Sequence, residues 1–433
     1  MKKTRTITID PKMFISKPFT KCPKCNKEES FGSLIISGGH HTKKCRECWH
    51  SQSFKLPPLD KKVIYLDQFV ISNMMKAIND KLGKKQKVDK TYLRLFEKLD
   101  RLVKLQLIIC PDSEFHREES LLSFYTVLKR MYEQLSHGIS FYDSTTIRRF
   151  QLCEDFKSYI KDEQCDWVKC LDVDDLLHGD RNEWQGRLII SIKSKIDQKE
   201  IDIFRKRRLE IHNNFNSIFE TWKKQTAKTY QSFVKEISTS FGTGIADRYV
   251  NLIAQYFQAS MGAKTLSTGD MLSFTGESSV LITSLLHYLP NDSNHAENLH
   301  KVLSYLRSER LEQVPFNEIY SAFWGVIAYQ ISKGGRKKAP NVGMFTDIEM
   351  VSTLMPYCDA IFIDKDMHSI LNFGPSRKIV SKHKTKIFSL TNVTSFFSYL
   401  EKIENKASKK HILTVKETYG EDWGTPFYEM YSH

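Results

Sequence analysis

The sequence predicts an α/β protein: a parallel-sheet core, split by a long α-helical insertion and preceded by a small cysteine-bearing unit. Three observations predict it. Short apolar runs ending on an acidic residue stand towards both ends of the chain, "VIYLD" at 63–67 and "DAIFID" at 359–364. Helical patterns alternate with these runs, which is the arrangement that builds parallel sheets. Between Gly186 and Gly242 there is no glycine or proline, and apolar residues recur there at helical spacing.

The first unit spans 1–56 and is closed by the double proline of "KLPPLDKK". Within it, Cys22-x2-Cys25 and Cys45-x2-Cys48 are separated by 19 residues. That is the four-thiolate spacing of a zinc ribbon or knuckle. Gly32 and the pair Gly38–Gly39 permit a hairpin between the two pairs. His40, His41 and His50 stand close by, but four thiolates already complete a closed tetrahedron with no position left for chemistry. A structural Zn2+ is the expectation, with Lys21, Lys24, Lys43, Lys44 and Arg46 beside it. The other five cysteines, Cys110, Cys153, Cys165, Cys170 and Cys358, are scattered and read as reduced thiols.

Residues 57–136 read as the first half of the core. They hold the strand at "VIYLD", a helix, the lysine-rich loop "KLGKKQK", a helix over roughly 89–104 and a second apolar strand, "LQLIICP". A helix then begins at "DSEFHREESLLSFYTVLKRMYEQL", with Leu121, Phe124, Leu128, Met131 and Leu135 at helical spacing. Residues 137–315 read as a mostly helical insertion. Its aromatic stripe of Ile211, Phe215, Ile218, Phe219 and Trp222 reads as helix packing. Residues 316–433 return to alternation and end in a tail. A helix, "FNEIYSAFWGVIAYQISK", leads to the basic glycine loop "GGRKKAPNVG" and a helix at "TDIEMVSTLMPYC". Strands at "DAIFID" and "KTKIFSL" and a helix at "VTSFFSYLEKI" follow.

With 65 lysines and arginines against 51 acids, the formal charge is +14 and the pI about 9.1. Such an excess favours a polyanionic partner, nucleic acid being the commonest. Hydrophobic content of 40%, with 12% aromatics, excludes a disordered chain. There is no apolar run long enough for a membrane span, and the start "MKKTRTITIDPKMF" has no apolar signal-peptide core. A cytoplasmic location without membrane contact is expected.

Acidic residues stand at the strand ends and helix starts: Asp67; Glu118 and Glu119; Asp347, read as opening a helix; and Asp364 with Asp366. In open parallel sheets, functional groups gather at the carboxyl ends of strands. Carboxylates at close range repel, and a divalent cation is the usual way to hold them together. Oxygen ligands suit Mg2+ or Mn2+, which activate water and stabilise charge on a phosphodiester. Each acid also suits a plainer role. Asp67, Asp347 and Asp364 fit helix caps, and Glu118 and Glu119 fit a solvated helix start.

The order of these motifs resembles the PIN-like (PIN domain) nuclease superfamily. "VIYLDQFVIS" is similar to the family's opening strand, whose aspartate binds metal. "PDSEFHREES" resembles the second motif, and counting six residues from Ser113 selects Glu119, with Glu118 close behind. "TDIEMVSTLMPYCDAIFIDKDM" resembles the third and fourth motifs. There Asp347 matches the helix-borne aspartate, and Asp364 the strand-end one, with Asp366 as alternative. The likeness covers about 62–136 and 316–404, and the insertion is far longer than in compact members. It implies a metal-dependent endonuclease acting on RNA in preference to DNA, and allows a toxin or phage-defence role. His116 reads as a packing residue rather than a base. The pair Arg207-x4-His212 has the spacing of metal-independent HEPN-type ribonucleases.

Arg336, Lys337 and Lys338 before Asp347, and Arg377 and Lys378 after Asp366, are candidate phosphate contacts that bind without reading bases. The middle helices allow a homo-oligomer or a regulatory protein partner. The alternative reading is a catalytically inactive PIN-like and zinc-ribbon scaffold that only binds nucleic acid.

Overall fold

The computed structural model describes residues 10–84, 86–121, 125–186, 198–263, 265, 276–290, 294–428 and 431. It is a mixed α/β protein with two four-stranded sheets. The first is antiparallel, in the order β1 (Ser16–Thr20), β2 (Phe31–Ser37), β3 (His40–Cys45), β4 (Ser51–Lys55). Gly38 and Gly39 turn β2 into β3, both with positive φ, 56° and 70°. Two successive positive-φ residues are what a tight hairpin of native twist demands, and glycine meets that demand without strain.

The second sheet is parallel throughout. β5 (Lys62–Leu66) lies at its centre, with β6 (Ile108–Ile109) on one side and β9 (Ala360–Phe362) on the other; β10 (Lys386–Phe388) closes the edge beyond β9. Between β6 and β9 in sequence, the strands among the described residues are a small antiparallel pair, β7 (Ser140–Phe141) with β8 (Leu177–His178), set among helices. Thus runs more than two hundred residues apart form one sheet, as their patterning predicts. The second apolar run contributes just two residues of strand.

The apolar runs are unbroken because both faces of this sheet are buried. Val63, Tyr65, Ile109, Ile361 and Ile363 point into one hydrophobic cluster, and Ile64, Leu66, Ile108, Ala360 and Phe362 into another. Helices Gln68–Lys81, Thr91–Lys104, Tyr125–Ser136 and Val393–Lys406 supply the second cluster through residues such as Met74, Phe96, Met131 and Phe396. Helices Pro315–Ser332 and Val342–Leu354 cover the first, joined by Phe215 and Tyr230 of the middle region. Leu128, Met131 and Leu135 are buried as their spacing predicts. The side chains of Leu121, Phe124 and Ile211 lie outside the described residues.

The aromatic stripe of helix Gln198–Lys224 does pack. Phe215 stacks on Trp324 at 5.0 Å between ring centroids, and Trp222 approaches the same indole at 6.1 Å. Ile218 is exposed, so the stripe is narrower than its spacing suggests. Beside it, helix Tyr230–Ser260 carries two glycines with opposite roles. A Cβ at Gly242 would run into the Leu306 carbonyl, whereas at Gly244 it meets open space. Gly242→Ala should therefore cost about 1–3 kcal/mol by overpacking. Gly244→Ala should gain about 0.5–1 kcal/mol by helix propensity. Urea unfolding of the two variants measures both signs.

The C-terminal tail holds a helix, Lys409–Tyr419, that sequence reading passed over. Its Val415 and Tyr419 form a cluster with Ile36, Leu56, Leu105 and Trp184, which seats the antiparallel sheet on the body. Trp184 also donates its indole N–H to the Pro57 carbonyl at 2.7 Å.

Candidate metal centre and acidic strand edge

The four cysteines come together. Their sulfurs all lie within 4.8 Å of one another, with Cys22 and Cys48 at 3.6 Å and Cys25 and Cys45 at 3.7 Å. A tetrahedral ion with metal–sulfur bonds of about 2.3 Å places its sulfurs about 3.8 Å apart, so the cluster has the right size for zinc. Each Cys-x2-Cys pair makes the same turn. Asn26 and Trp49, directly after Cys25 and Cys48, both adopt positive φ, 58° and 60°. Cys22 N–H donates to the Lys27 carbonyl at 3.0 Å, and Cys45 N–H to that of His50 at 2.8 Å. The crowded sulfurs share their protons unevenly. Burial works against ionisation of Cys45, but hydrogen bonds with Ser30 and the N–H groups of Cys48 and Glu47 outweigh it and hold that thiol down to about 6. At Cys48 a lowering backbone hydrogen bond at His50 is outweighed by burial and the facing sulfurs, which push it up to about 12. Thiolate is the form that binds metal. The nearby histidines are otherwise engaged. His41 is buried against the Ser33 hydroxyl at 2.9 Å, His40 bonds to the Gly38 carbonyl at 2.9 Å, and His50 stacks on Phe31.

At the parallel sheet, pairing of Leu66 with Phe362 sets the next residues of β5 and β9 side by side at their carboxyl ends. Asp67 N–H donates to the Phe362 carbonyl at 3.0 Å. Asp67 and Asp364 each then cap the helix that follows. The Asp67 carboxylate accepts from Phe69 N–H at 3.3 Å, and that of Asp364 from Met367 N–H at 2.6 Å. Capping is therefore real at both positions, but it leaves Asp67 buried, at 6% exposure, a poor place for a lone charge. Burial first, then the neighbouring charges of Glu119 and Asp364, push its carboxyl up to about 8. Burial also raises Asp364, with Asp366 adding to it.

This coupling bears on the paired acids. Both Glu118 and Glu119 are half-buried on helix Glu114–Leu121, and Glu119 is among the charges that weigh most on Asp67. Asp364 is half-buried and weighs on Asp67, while Asp366 is exposed and acts on Arg336 of the glycine loop. Lys337, Lys338, Arg377 and Lys378 are exposed. Asp347 requires a correction: it does not open its helix. Helix Val342–Leu354 starts earlier and is capped by Asn341, which accepts from Met344 N–H at 2.8 Å. Asp347 thus lies in the second turn, half-buried, and a cap role is ruled out. Its helix packs against helix Lys365–Leu371, which Asp364 caps. Asp347 is not among the groups that weigh most on Asp67. Among the described residues, the cysteines are the one group of three or more metal-binding side chains whose ligand atoms lie within 4.8 Å of each other.

A set of buried contacts anchors the helix that bears Glu119. His116 is buried between Tyr65 and Tyr132, with ring centroids at 4.8 Å on both sides. Its Nε2 meets the Leu66 carbonyl at 2.7 Å, and its Nδ1 the Asp112 carboxylate at 3.1 Å. Tyr65 and Ser113 share a hydrogen bond of 2.7 Å. The start of this helix is thereby pinned to the end of β5, and Glu119 follows one turn after His116. Both ring nitrogens are engaged, which suits a packing role. The side chains of Arg207 and His212 lie outside the described residues.

Together these features define a mixed α/β protein with a four-cysteine cluster that could hold a metal such as zinc, and with no helix, among the described residues, long and apolar enough to cross a membrane. No family model, curated protein or solved structure matches the chain.

Proposed function

We propose that this chain is a divalent-cation-dependent endonuclease of PIN-like type, acting on nucleic acid and on RNA in preference to DNA, with the four-cysteine sheet as a structural zinc ribbon. The observation that carries the reading is the charge-strained edge of the parallel sheet. Asp67 is buried there, and Glu119 and Asp364 add to the pressure on its carboxyl. A cation relieves such crowding, and an all-carboxylate donor set is the chemistry of Mg2+ or Mn2+. Asp67, Glu119 and Asp364 would hold the ion, and Asp347, on the helix packed against the one that Asp364 caps, is the fourth candidate. Bound there, it would polarise a phosphoryl oxygen and make an attacking water more acidic.

The protein's own groups do the rest. The caps at Asp67 and Asp364 fix both carboxylates on rigid helix starts, and His116 positions the helix that bears Glu119. Arg336, Lys337, Lys338, Arg377 and Lys378 grip backbone phosphates around the edge, without base contacts. Lys337→Ala/Lys338→Ala should weaken RNA binding alike across sequences. The slope of log K against log salt should fall by about 0.7 for each lost phosphate contact. Anisotropy titrations at several KCl concentrations measure it, and an unchanged slope removes these lysines from the phosphate path.

The test of the whole reading is cleavage of labelled single-stranded RNA and DNA with Mn2+, comparing the wild type with Asp364→Asn. Cutting by the wild type alone, stopped by EDTA, is expected. Equal cutting by both proteins would sink the assignment, and full activity in EDTA would point to the helical Arg207 and His212 pair. Binding without cutting by either protein would favour the inactive scaffold.

A further inference from the structure

Far from the acidic edge, the loop after helix Ser144–Tyr159 carries two thiols in close contact. Cys165 and Cys170 bracket "DWVK", the second of them ending the short helix Trp167–Cys170. Their sulfurs are 2.9 Å apart. That is much closer than the 3.6 and 3.7 Å between sulfurs of the four-cysteine cluster, and too close for two ligands of one tetrahedral zinc ion, which need about 3.8 Å. Both residues are partly exposed, whereas Cys110, Cys153 and Cys358 are buried.

The surroundings hold the pair in this arrangement. Arg310 clamps the loop from outside, donating to the Glu163 carbonyl at 2.6 Å and to the Asp155 carboxylate at 3.1 Å. Trp167, inside the bracket, packs against the cluster formed by Phe156, Ile245 and Leu285. With the sulfurs already 2.9 Å apart, closing a bond of about 2.0 Å between them asks for a further approach of about 1 Å.

We propose that Cys165 and Cys170 are a redox modification site: a dithiol that closes to an intrachain disulfide when it meets a small disulfide oxidant such as oxidised glutathione. One cysteine thiolate attacks a glutathione sulfur, forming a mixed disulfide and releasing one glutathione thiolate. The second cysteine thiolate attacks the protein sulfur of that mixed disulfide and releases the other glutathione. Two electrons pass from the protein to the oxidant, and the two thiol protons end on the released glutathiones. Burial, and then the facing Cys170, push the Cys165 thiol well up. The site is independent of the nuclease reading.

The experiment uses the full-length, zinc-loaded chain, treated with oxidised glutathione, alkylated and digested with trypsin. Cleavage at Lys161, Lys169 and Arg181 separates the two cysteines onto different peptides, 162–169 and 170–181. The expected result is that these peptides appear joined by a disulfide, with Cys110, Cys153 and Cys358 still alkylatable after denaturation. Cys165→Ser should instead carry a glutathione adduct on Cys170 and no joined pair. Separate, fully alkylated peptides from the treated wild type would overturn the proposal. So would Cys165 or Cys170 joined to any other cysteine.

Discussion

Asp67→Asn is expected to abolish metal-dependent cleavage while making the metal-free protein more stable. Loss of a metal ligand should cost more than the 10- to 100-fold typical of an outer-shell partner, so cleavage should fall by at least about 100-fold. Asparagine caps helices about as well as aspartate, so the contact with Phe69 N–H survives and the fold has no reason to fail. Stability should move the other way. The folded-state value of Asp67, about 8, lies above the ordinary 3.8. The folded protein therefore holds this proton more tightly than the unfolded chain. The site costs nothing below about pH 4, becomes destabilising as pH rises towards 8, and carries its full penalty above that. Asparagine has no charge to bury, so its advantage should grow across that window. Thermal melts of both proteins in EDTA at pH 5 and pH 8.5 measure it. A constant difference, or a less stable variant at pH 8.5, would contradict the electrostatic account.

Cys45→Ser should release the zinc and unfold the N-terminal sheet. That sheet has little core of its own: among the described residues, its own cluster is Cys22, Phe31 and Cys45, with Cys48 packed against them. Every residue of β4 is exposed, and so are Leu34 and Ile35. Structural zinc contributes apparent binding free energies of about 10–16 kcal/mol in small folded units, which is free energy of folding for a unit without another core. Docking through Ile36 and Leu56 cannot replace it. The clusters on the two faces of the parallel sheet contain no residue of the ribbon, so the body should stay folded. Zinc content by metal analysis should drop from one equivalent to none, and limited proteolysis should remove the first 56 residues. Retained zinc with an intact N-terminus would show that the cysteines do not hold it.

The parallel sheet was legible because a strand buried on both faces is written as an uninterrupted apolar run. "VIYL" and "AIF" could hardly be anything else between helices. The cysteine cluster was legible for a similar reason, since four ligands of one ion must recur at fixed spacing. The alternation of helices told less about where each begins. Asp347 looked like a helix opener because a glycine follows Asn341 closely, yet Gly343 sits inside the first turn and Asn341 takes the cap. Counting six residues from Ser113 favours Glu119, and its charge is among those that weigh on Asp67; what spacing does not show is how His116, Tyr65 and Ser113 pin the helix that carries both acids. Those contacts join residues about fifty positions apart, and no spacing rule reaches that far. The same holds for the C-terminal helix, whose purpose shows only in its contact with the ribbon.

The central claim is that the acidic edge of the parallel sheet binds a divalent cation. Direct Mn2+ binding to the zinc-loaded protein, followed by the loss of the free-ion signal in electron paramagnetic resonance, tests it without any assumption about substrate. The wild type should take up Mn2+, and the double variant Asp67→Asn/Asp364→Asn should bind it at least about tenfold more weakly with its zinc retained. Equal Mn2+ affinity in the two proteins would contradict the account.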